Sequence, residues 1–196
     1  MGMRLSQFLQ ENKGELQDRW VNTVLESYAE DAAAIFKREQ DRFANPVGYS
    51  ARHTLTTLYA LLFDDPERDF DLGEAKIALS TFVKLRAVQT YTPASAVAFI
   101  YDLKAVVRQA ATKEKELAAT SEDWMRFHDL LDTAALIVFD LYMESRQRLF
   151  ETQINEYKSM NFMHTRHGCP SAGMADKTTQ LMADVKPLHN QSNEAR

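Results

Sequence analysis

Two apolar stretches of the sequence contain long polar side chains that could bind a small polar molecule. Arg86 and Gln89 lie in the otherwise apolar run 85–89, and Lys104 lies in the next apolar segment. Polar groups near a core need partners, and an arginine there can hold an anion through charge-assisted hydrogen bonds. The sequence therefore predicts a polar pocket formed by Arg86, Gln89 and either Tyr101 or Lys104. Lys104 is the weakest member, because it lies about three turns into its helix.

The alternative interpretation of these side chains is structural. Arg86 could pair with a helix carboxylate such as Asp102 or Glu74, and long polar side chains could also reach water along an apolar surface. An Arg86 that is fully exposed, or that is paired with such a carboxylate and has no adjoining cavity, would remove the pocket hypothesis and favour an adaptor function.

Histidine and cysteine residues are the next candidates for chemistry. His164, His167 and Cys169 could supply three ligands to zinc, with a fourth from outside, but their spacing is not that of a closed site and their segment has the composition of a polar tail. His53 or His128 could ligate a haem iron, yet neither has a second ligand or a distinctive haem pattern around it. We therefore predict no metal and no cofactor.

The short motifs typical of enzyme sites are missing from the sequence. The dinucleotide pattern G-x-G-x-x-G, the P-loop, the zinc-protease pattern H-E-x-x-H and the nucleophile elbow G-x-S-x-G do not occur. The E-x-x-H spacing of di-iron helical bundles is also absent. We therefore predict a protein without catalytic activity.

Charge and composition argue against several classes of partner. The 23 Lys and Arg residues against 28 Asp and Glu residues give a net charge of −5, which disfavours nonspecific binding to nucleic acid or anionic membranes. The single cysteine excludes an internal disulfide framework. The longest apolar run, 134–139, is far shorter than the about 20 residues of a membrane helix, and residues 1–10 lack an apolar secretory segment. We expect a cytoplasmic protein.

The elements that must position these residues are predicted to be helices. Six glycines and five prolines account for 11 of 196 residues, and none lies within 94–167, which argues against a turn-rich β fold. The predicted class is all-α, with about six helices. Besides a short turn at 5–11, the predicted helices are 13–28, 32–42, one from 46 to about 63, 72–89, one from 93 and 121–157.

Local signals predict where helices begin and which residues face inward. Thr92, followed by a proline, is expected to cap the helix that begins at 93, and Ser121 is expected to cap the last helix. On the helix 72–89, we expect Ile77, Leu85 and Val88 to face the core.

The last helix carries a regular apolar stripe. Apolar residues recur with the spacing 3-4-3-4-3 from Trp124 to Leu141, a pattern found in core helices and in paired helices. Because the predicted helix is longer than one domain needs, part of the stripe is expected to form the seam of a homodimer. The candidate seam residues are Trp124, Leu131, Val138 and Leu141.

Several blocks of this sequence, in order and spacing, resemble a known family. The blocks are Leu5-x-x-Phe8-Leu9, Glu15-Leu16-x-x-Arg19-Trp20, Phe43-Ala44-Asn45-Pro46-Val47-Gly48-Tyr49, Leu85-Arg86-Ala87-Val88-Gln89 and Thr92-Pro93-Ala94-x-Ala96-Val97-x-Phe99-Ile100 with Leu103-Lys104. On these residues the chain resembles the RsbT co-antagonist protein RsbRD N-terminal domain family, over roughly residues 5–150.

The resemblance implies a sensory domain similar to the globin-like input domains of stressosome proteins. Those domains dimerise, do not generally bind haem and pass a signal along a C-terminal helix. Their usual partner is a C-terminal STAS domain, for which residues 161–196 are too short. What the resemblance implies for this chain is therefore the sensory module without the STAS output, and it transfers no catalytic residues.

Three functions remain open at this point. The first is a homodimeric, non-catalytic sensor over residues 1–160 that binds a small ligand or a protein partner and acts in trans. The second is an adaptor that docks on a larger complex through a flexible tail, residues 161–196. The third, a haem-based gas sensor, rests on the globin analogy alone. The expected partners are a second copy, an unidentified protein and a small molecule, without nucleic acid or membrane insertion.

Overall fold

The computed structural model describes the backbone of residues 2–28, 33, 36, 43–89 and 91–166, and side chains within these ranges up to residue 160. Its helices are α1 (Leu5–Glu11), α2 (Lys13–Glu26), α3 (Pro46–Phe63), α4 (Leu72–Val88), α5 (Pro93–Ala111) and α6 (Ser121–Arg166). Within the described ranges there is no β-strand, apart from an isolated bridge between Met3 and Leu117. The predicted all-α class is confirmed.

Side-chain caps set the starts of the three middle helices. The Asn45 side chain accepts a hydrogen bond from the Gly48 amide at 2.8 Å, and Asp71 accepts from two backbone amides in the first turn of α4. The Thr92 hydroxyl accepts from the Ser95 amide at 3.2 Å, which confirms the predicted cap of α5. Asn45 and Thr92 each precede a proline, whose missing N–H is not needed in the first turn.

Two predicted helices agree with the structure except at their ends, and a third cannot be compared. The predicted helix 13–28 ends at Glu26, and the predicted helix 72–89 ends at Val88. The predicted helix 32–42 lies outside the described residues, apart from residues 33 and 36.

The predicted inward face of α4 is wrong. Ile77 is 76% exposed and Val88 is 70% exposed, and Leu85 is half-buried. The buried residues of this helix are Ala75, Leu79, Phe82, Val83, Arg86 and Ala87. The apolar residues of α4 are distributed around all sides of the helix, so their periodicity does not single out one face. The buried face is the one that carries Phe82, whose ring packs against Phe99 with the centroids 5.3 Å apart.

The cap of α6 is Thr120 rather than the predicted Ser121. The Asp123 amide donates to the Thr120 hydroxyl at 3.1 Å, and the Asp123 carboxylate accepts from the Thr120 amide at 2.8 Å. This reciprocal pair is a capping box, which satisfies two backbone donors at the helix start. Ser121 is the first helical residue.

The chain divides into two compact units, Met1–Phe150 and Glu151–Arg196. In the second unit the structure describes a helical backbone, which runs past residue 160, the predicted end of the helical domain, to Arg166. Residues 167–196 of the predicted tail lie outside the described residues.

The core of the first unit is built around α2, which packs against α3 and α5. Trp20 of α2 is fully buried, and its indole N–H donates to the Phe99 carbonyl of α5 at 2.7 Å. On the other side of the core, Phe127 of α6 stacks on Phe63 of α3, with ring centroids 5.6 Å apart. These contacts fix the first half of α5 against α2 and α4, where the predicted polar residues lie.

Candidate functional site

Arg86 is buried where the end of α2, the last turn of α4 and the first half of α5 meet. Only 2% of the surface of Arg86 is exposed. The connection from α4 to α5 is short, so the first turn of α5 lies beside the last turn of α4. The Arg86 Nη1 atom donates to the Ser95 carbonyl of that turn at 3.1 Å.

Four aromatic rings surround the guanidinium, and we call Arg86 with these rings the Arg86 cage. The Arg86 Cζ atom lies 4.8 Å from the ring centroid of Tyr91, 5.0 Å from those of Phe82 and Phe99, and 5.7 Å from that of Tyr28. Such cation–π contacts contribute about 0.5 to 2 kcal/mol each. They stabilise a buried positive charge, but they do not supply acceptors for its N–H groups.

Several buried polar atoms of the cage, and one of Gln89 at the end of α4, have no hydrogen bond within the part of the chain that the structure describes. They are Nε and Nη2 of Arg86, the hydroxyl of Tyr28 and Oε1 of Gln89. No carboxylate of the described residues lies within 4.0 Å of Arg86 as an ion pair, and Glu74 pairs with Arg68 at 2.8 Å. Burying a charge and its donors without partners is costly, and an anion that reached these atoms would supply the missing acceptors.

Burial and the guanidinium act in opposite directions on two neighbouring acids. Burial raises the pKa of Tyr28 to about 12, while the positive charge of Arg86 opposes the shift. Burial also raises the pKa of Asp102, and Arg86 again opposes the shift. Asp102 is therefore within electrostatic reach of Arg86 without forming an ion pair, and the neutral Tyr28 hydroxyl can donate.

The structure divides the four predicted pocket residues into two groups. Arg86 and Gln89 lie at the end of α4, and both have buried atoms without a hydrogen bond among the described residues. Lys104 instead lies 4.9 Å above the ring centroid of Tyr101 and pairs with Asp132 of α6 at 2.8 Å. Tyr101 is 44% exposed. A pocket that uses Arg86 is therefore completed by the aromatic cage rather than by Tyr101 or Lys104.

A wide groove of the first unit lies between α3 and α4. Its volume is about 810 Å³, and its lining includes Phe43, Ser50 and Ile77. Arg86 does not line it. The Arg86 cage is therefore separate from this groove.

The predicted seam residues of α6 lie mostly in the core of their own chain. Leu131 and Val138 are fully buried, Leu141 is 5% exposed and Trp124 is half-buried. A different set of apolar residues on α6 faces outward, and we call it the outer stripe. Its members in the first unit are Leu136, Phe139, Met143 and Phe150, with exposures of 68%, 43%, 41% and 49%.

The histidines considered as ligands lie apart on the surface. His53 and His128 are both exposed; His53 stacks on Tyr49, with centroids 6.1 Å apart. Within the described ranges, no group of three or more His, Cys, Asp or Glu side chains could hold a metal ion. The side chain of His164 is not described, and His167 and Cys169 lie outside the described residues, so the tail cluster stays a prediction.

Sequence reasoning missed the aromatic members of the site. Phe82 precedes Arg86 by one helical turn, and Phe99 follows Ser95 by one turn on α5, so their positions on the facing helices carry a detectable signal. Tyr28 continues the apolar face of the predicted helix 13–28, on which it follows Trp20 by eight residues. That spacing predicts an inward side chain but not its contact with Arg86, which exists only in the tertiary fold.

The described residues thus define an all-α domain with a buried cationic site. A profile of the family described as RsbT co-antagonist protein rsbRD N-terminal domain matches residues 14–157. The chain belongs to this family, as its sequence blocks predicted, and the family consists of stressosome-type regulatory sensor domains. No protein with a curated description and no solved structure matches the chain. In the described part of the chain, no helix has both the length and the apolar character needed to cross a bilayer.

Proposed function

We propose that this chain is a non-catalytic regulatory sensor domain, cytoplasmic and dimeric, whose receiving element is the Arg86 cage. The observation that carries this proposal is the buried guanidinium with unfilled donors, in a chain of a regulatory sensor family. A small ligand that satisfies those donors would stabilise one arrangement of the cage over others, which is the requirement for a ligand-driven shift.

The position of the cage supports transmission to the rest of the first unit. Tyr28 follows α2 and Tyr91 lies in the α4–α5 corner, so displacement of either ring moves the end of a helix. The Tyr91 carbonyl also accepts a hydrogen bond from the hydroxyl of Tyr142 on α6. A change in the cage therefore has a direct connection to α6, the helix that carries the outer stripe.

The outer stripe supports action as a homodimer. Leu136, Met143 and Phe150 recur every seven residues, and Phe139 lies between the first two, which is the spacing of a helix seam. The same stripe on a second copy supplies a partner of matching spacing. This proposal moves the seam from the core residues Leu131, Val138 and Leu141 to the exposed face of the same helix.

A thermal-shift experiment tests ligand sensing at the cage. The low-molecular-mass fraction of an extract from the source cells is added to the wild-type chain, to Arg86→Gln and to Lys84→Gln. Lys84 is an exposed cation on the same helix, so it is the matched control. We expect the fraction to raise the melting temperature of the wild type and of Lys84→Gln, but not of Arg86→Gln. An equal rise in Arg86→Gln contradicts the site, and no rise in any chain contradicts ligand sensing.

A further inference from the structure

We infer that the ligand of the Arg86 cage is a monoanionic carboxylate, held side-on by Nε and Nη2 of Arg86. This inference rests on the proposed function and names the chemical class of its ligand. It follows from which atoms of the guanidinium are occupied, which charges surround it and which acids of the chain fail to reach it.

The free atoms of Arg86 form one edge of the guanidinium. Nη1 donates to the Ser95 carbonyl at 3.1 Å, whereas Nε and Nη2 make no hydrogen bond to any residue that the structure describes. The N–H groups of Nε and Nη2 are parallel and match the two oxygens of a carboxylate in a bidentate pair. The polar contact of Nη1 with α5 therefore leaves free the edge that binds carboxylates best.

The charge of the cage favours a monoanion over a phosphate. The cage residues carry one positive charge, that of Arg86. Lys104 is paired with Asp132, and the Arg146 guanidinium donates to the Ala87 carbonyl at 3.1 Å. A carboxylate neutralises one guanidinium, whereas a phosphate dianion would leave a negative charge buried among aromatic rings. The Tyr28 hydroxyl lies close enough to Arg86 and Tyr91 for both to affect its pKa, but it forms no hydrogen bond of good geometry within the described residues. It is a further donor at the same cage, and its raised pKa keeps it protonated at neutral pH.

Asp102 is the internal carboxylate that competes with this inference. It is half-buried on α5 and within electrostatic reach of Arg86, yet it forms no ion pair with Arg86. If Asp102 were the natural partner of Arg86, external carboxylates would bind the wild type weakly, and removing the Asp102 charge would weaken the fold and strengthen their binding. Asp102→Asn therefore separates an internal partner from an external one.

The test uses acetate and benzoate as probes, with acetamide as a neutral control and inorganic phosphate as the rival anion. Chains labelled with nitrogen-15 arginine report the Nε–H resonance of Arg86, which is assigned by its loss in Arg86→Lys. We expect acetate or benzoate to shift this resonance in a saturable manner in the wild type and in Asp102→Asn. Arg86→Lys keeps the positive charge but lacks the two parallel N–H groups of the guanidinium, so calorimetry should show the affinity for acetate or benzoate reduced roughly tenfold or more.

Each contrary result overturns the inference. Stronger binding of phosphate, equal binding of acetamide, or no shift with either carboxylate contradicts a carboxylate site. Because carboxylate binding is observed in the wild type itself, the conclusion does not depend on whether every variant folds. If the cell fraction stabilises the wild type but not Arg86→Gln while carboxylates do not bind, the carboxylate class is wrong and the proposed function stands. If Arg86→Gln still responds to the fraction, the proposed function fails.

Discussion

At the scale of residues, the site depends on a backbone carbonyl as much as on side chains. The indole N–H of Trp20 donates a hydrogen bond to the Phe99 carbonyl at 2.7 Å, and the Phe99 ring is one of the four rings of the Arg86 cage. A buried hydrogen bond of this kind fixes the position of α5 relative to α2. The four-residue spacing of Leu16, Trp20 and Val24 predicts that Trp20 faces the core, but its hydrogen bond to Phe99 exists only in the tertiary fold.

Trp20→Phe should therefore destabilise the protein and loosen the cage. The substitution removes one buried hydrogen bond and leaves a small cavity, with an expected loss of about 2 to 4 kcal/mol in the free energy of unfolding. Urea denaturation measures this loss. Trp124→Phe is the control, because Trp124 is half-buried; a loss as large as that of Trp20→Phe would contradict the assignment.

Asp102 should make stability fall as pH rises through the acid range. Its pKa in the folded state is raised above the ordinary value of 3.8, so the folded state holds the proton over a pH interval where the unfolded state has released it. Stability from this group is present below the unfolded pKa and is lost as pH rises through the folded pKa. The difference between wild type and Asp102→Asn, followed by urea denaturation from pH 3 upwards, should show this slope. A difference that does not change with pH would contradict it.

At the scale of elements, the sequence predicts where helices begin better than which way they face. Asn45 and Thr92 cap helices that begin with proline, and both signals are local. The face of α4 is not local information, because Ile77 and Val88 are as apolar as the residues that are buried. The burial of Arg86 is likewise set by the rings that α2 and α5 bring to it. The choice of Arg86 as a site residue came from its polar character within an apolar run, and its surroundings could not be predicted in the same way.

The start of α6 gives a direct test of a cap. Thr120→Ala removes the hydroxyl that accepts from the Asp123 amide at 3.1 Å, and the expected loss in the free energy of unfolding is about 1 kcal/mol. Ser121→Ala is the matched control and should change stability by much less. Both are measured by thermal or urea denaturation. Equal losses would contradict the assignment of Thr120 as the cap.

At the scale of the whole molecule, the proposed homodimer is tested by charges on the outer stripe. Leu136→Glu combined with Met143→Glu should convert dimers to monomers in sedimentation at tens of micromolar, because like charges would face each other across the seam. Ile77→Glu, at a residue 76% exposed on α4, is the control and should leave the mass unchanged. A wild-type chain that sediments as a monomer would contradict the dimer itself.

The isolated bridge between Met3 and Leu117 joins the segment before α1 to the segment before α6. The Met3 amide donates to the Glu116 carbonyl at 2.9 Å, and the Ala118 amide donates to the Met3 carbonyl at 2.9 Å. Contacts between residues so distant in sequence form only when the intervening helices are in place. The deuterium uptake of these two amides therefore reports whether the contact between residue 3 and the segment before α6 opens. A tag fused directly before Met3 would strain this contact, since a Cβ on Gly2 would already lie 2.4 Å from the Cβ of Ala118.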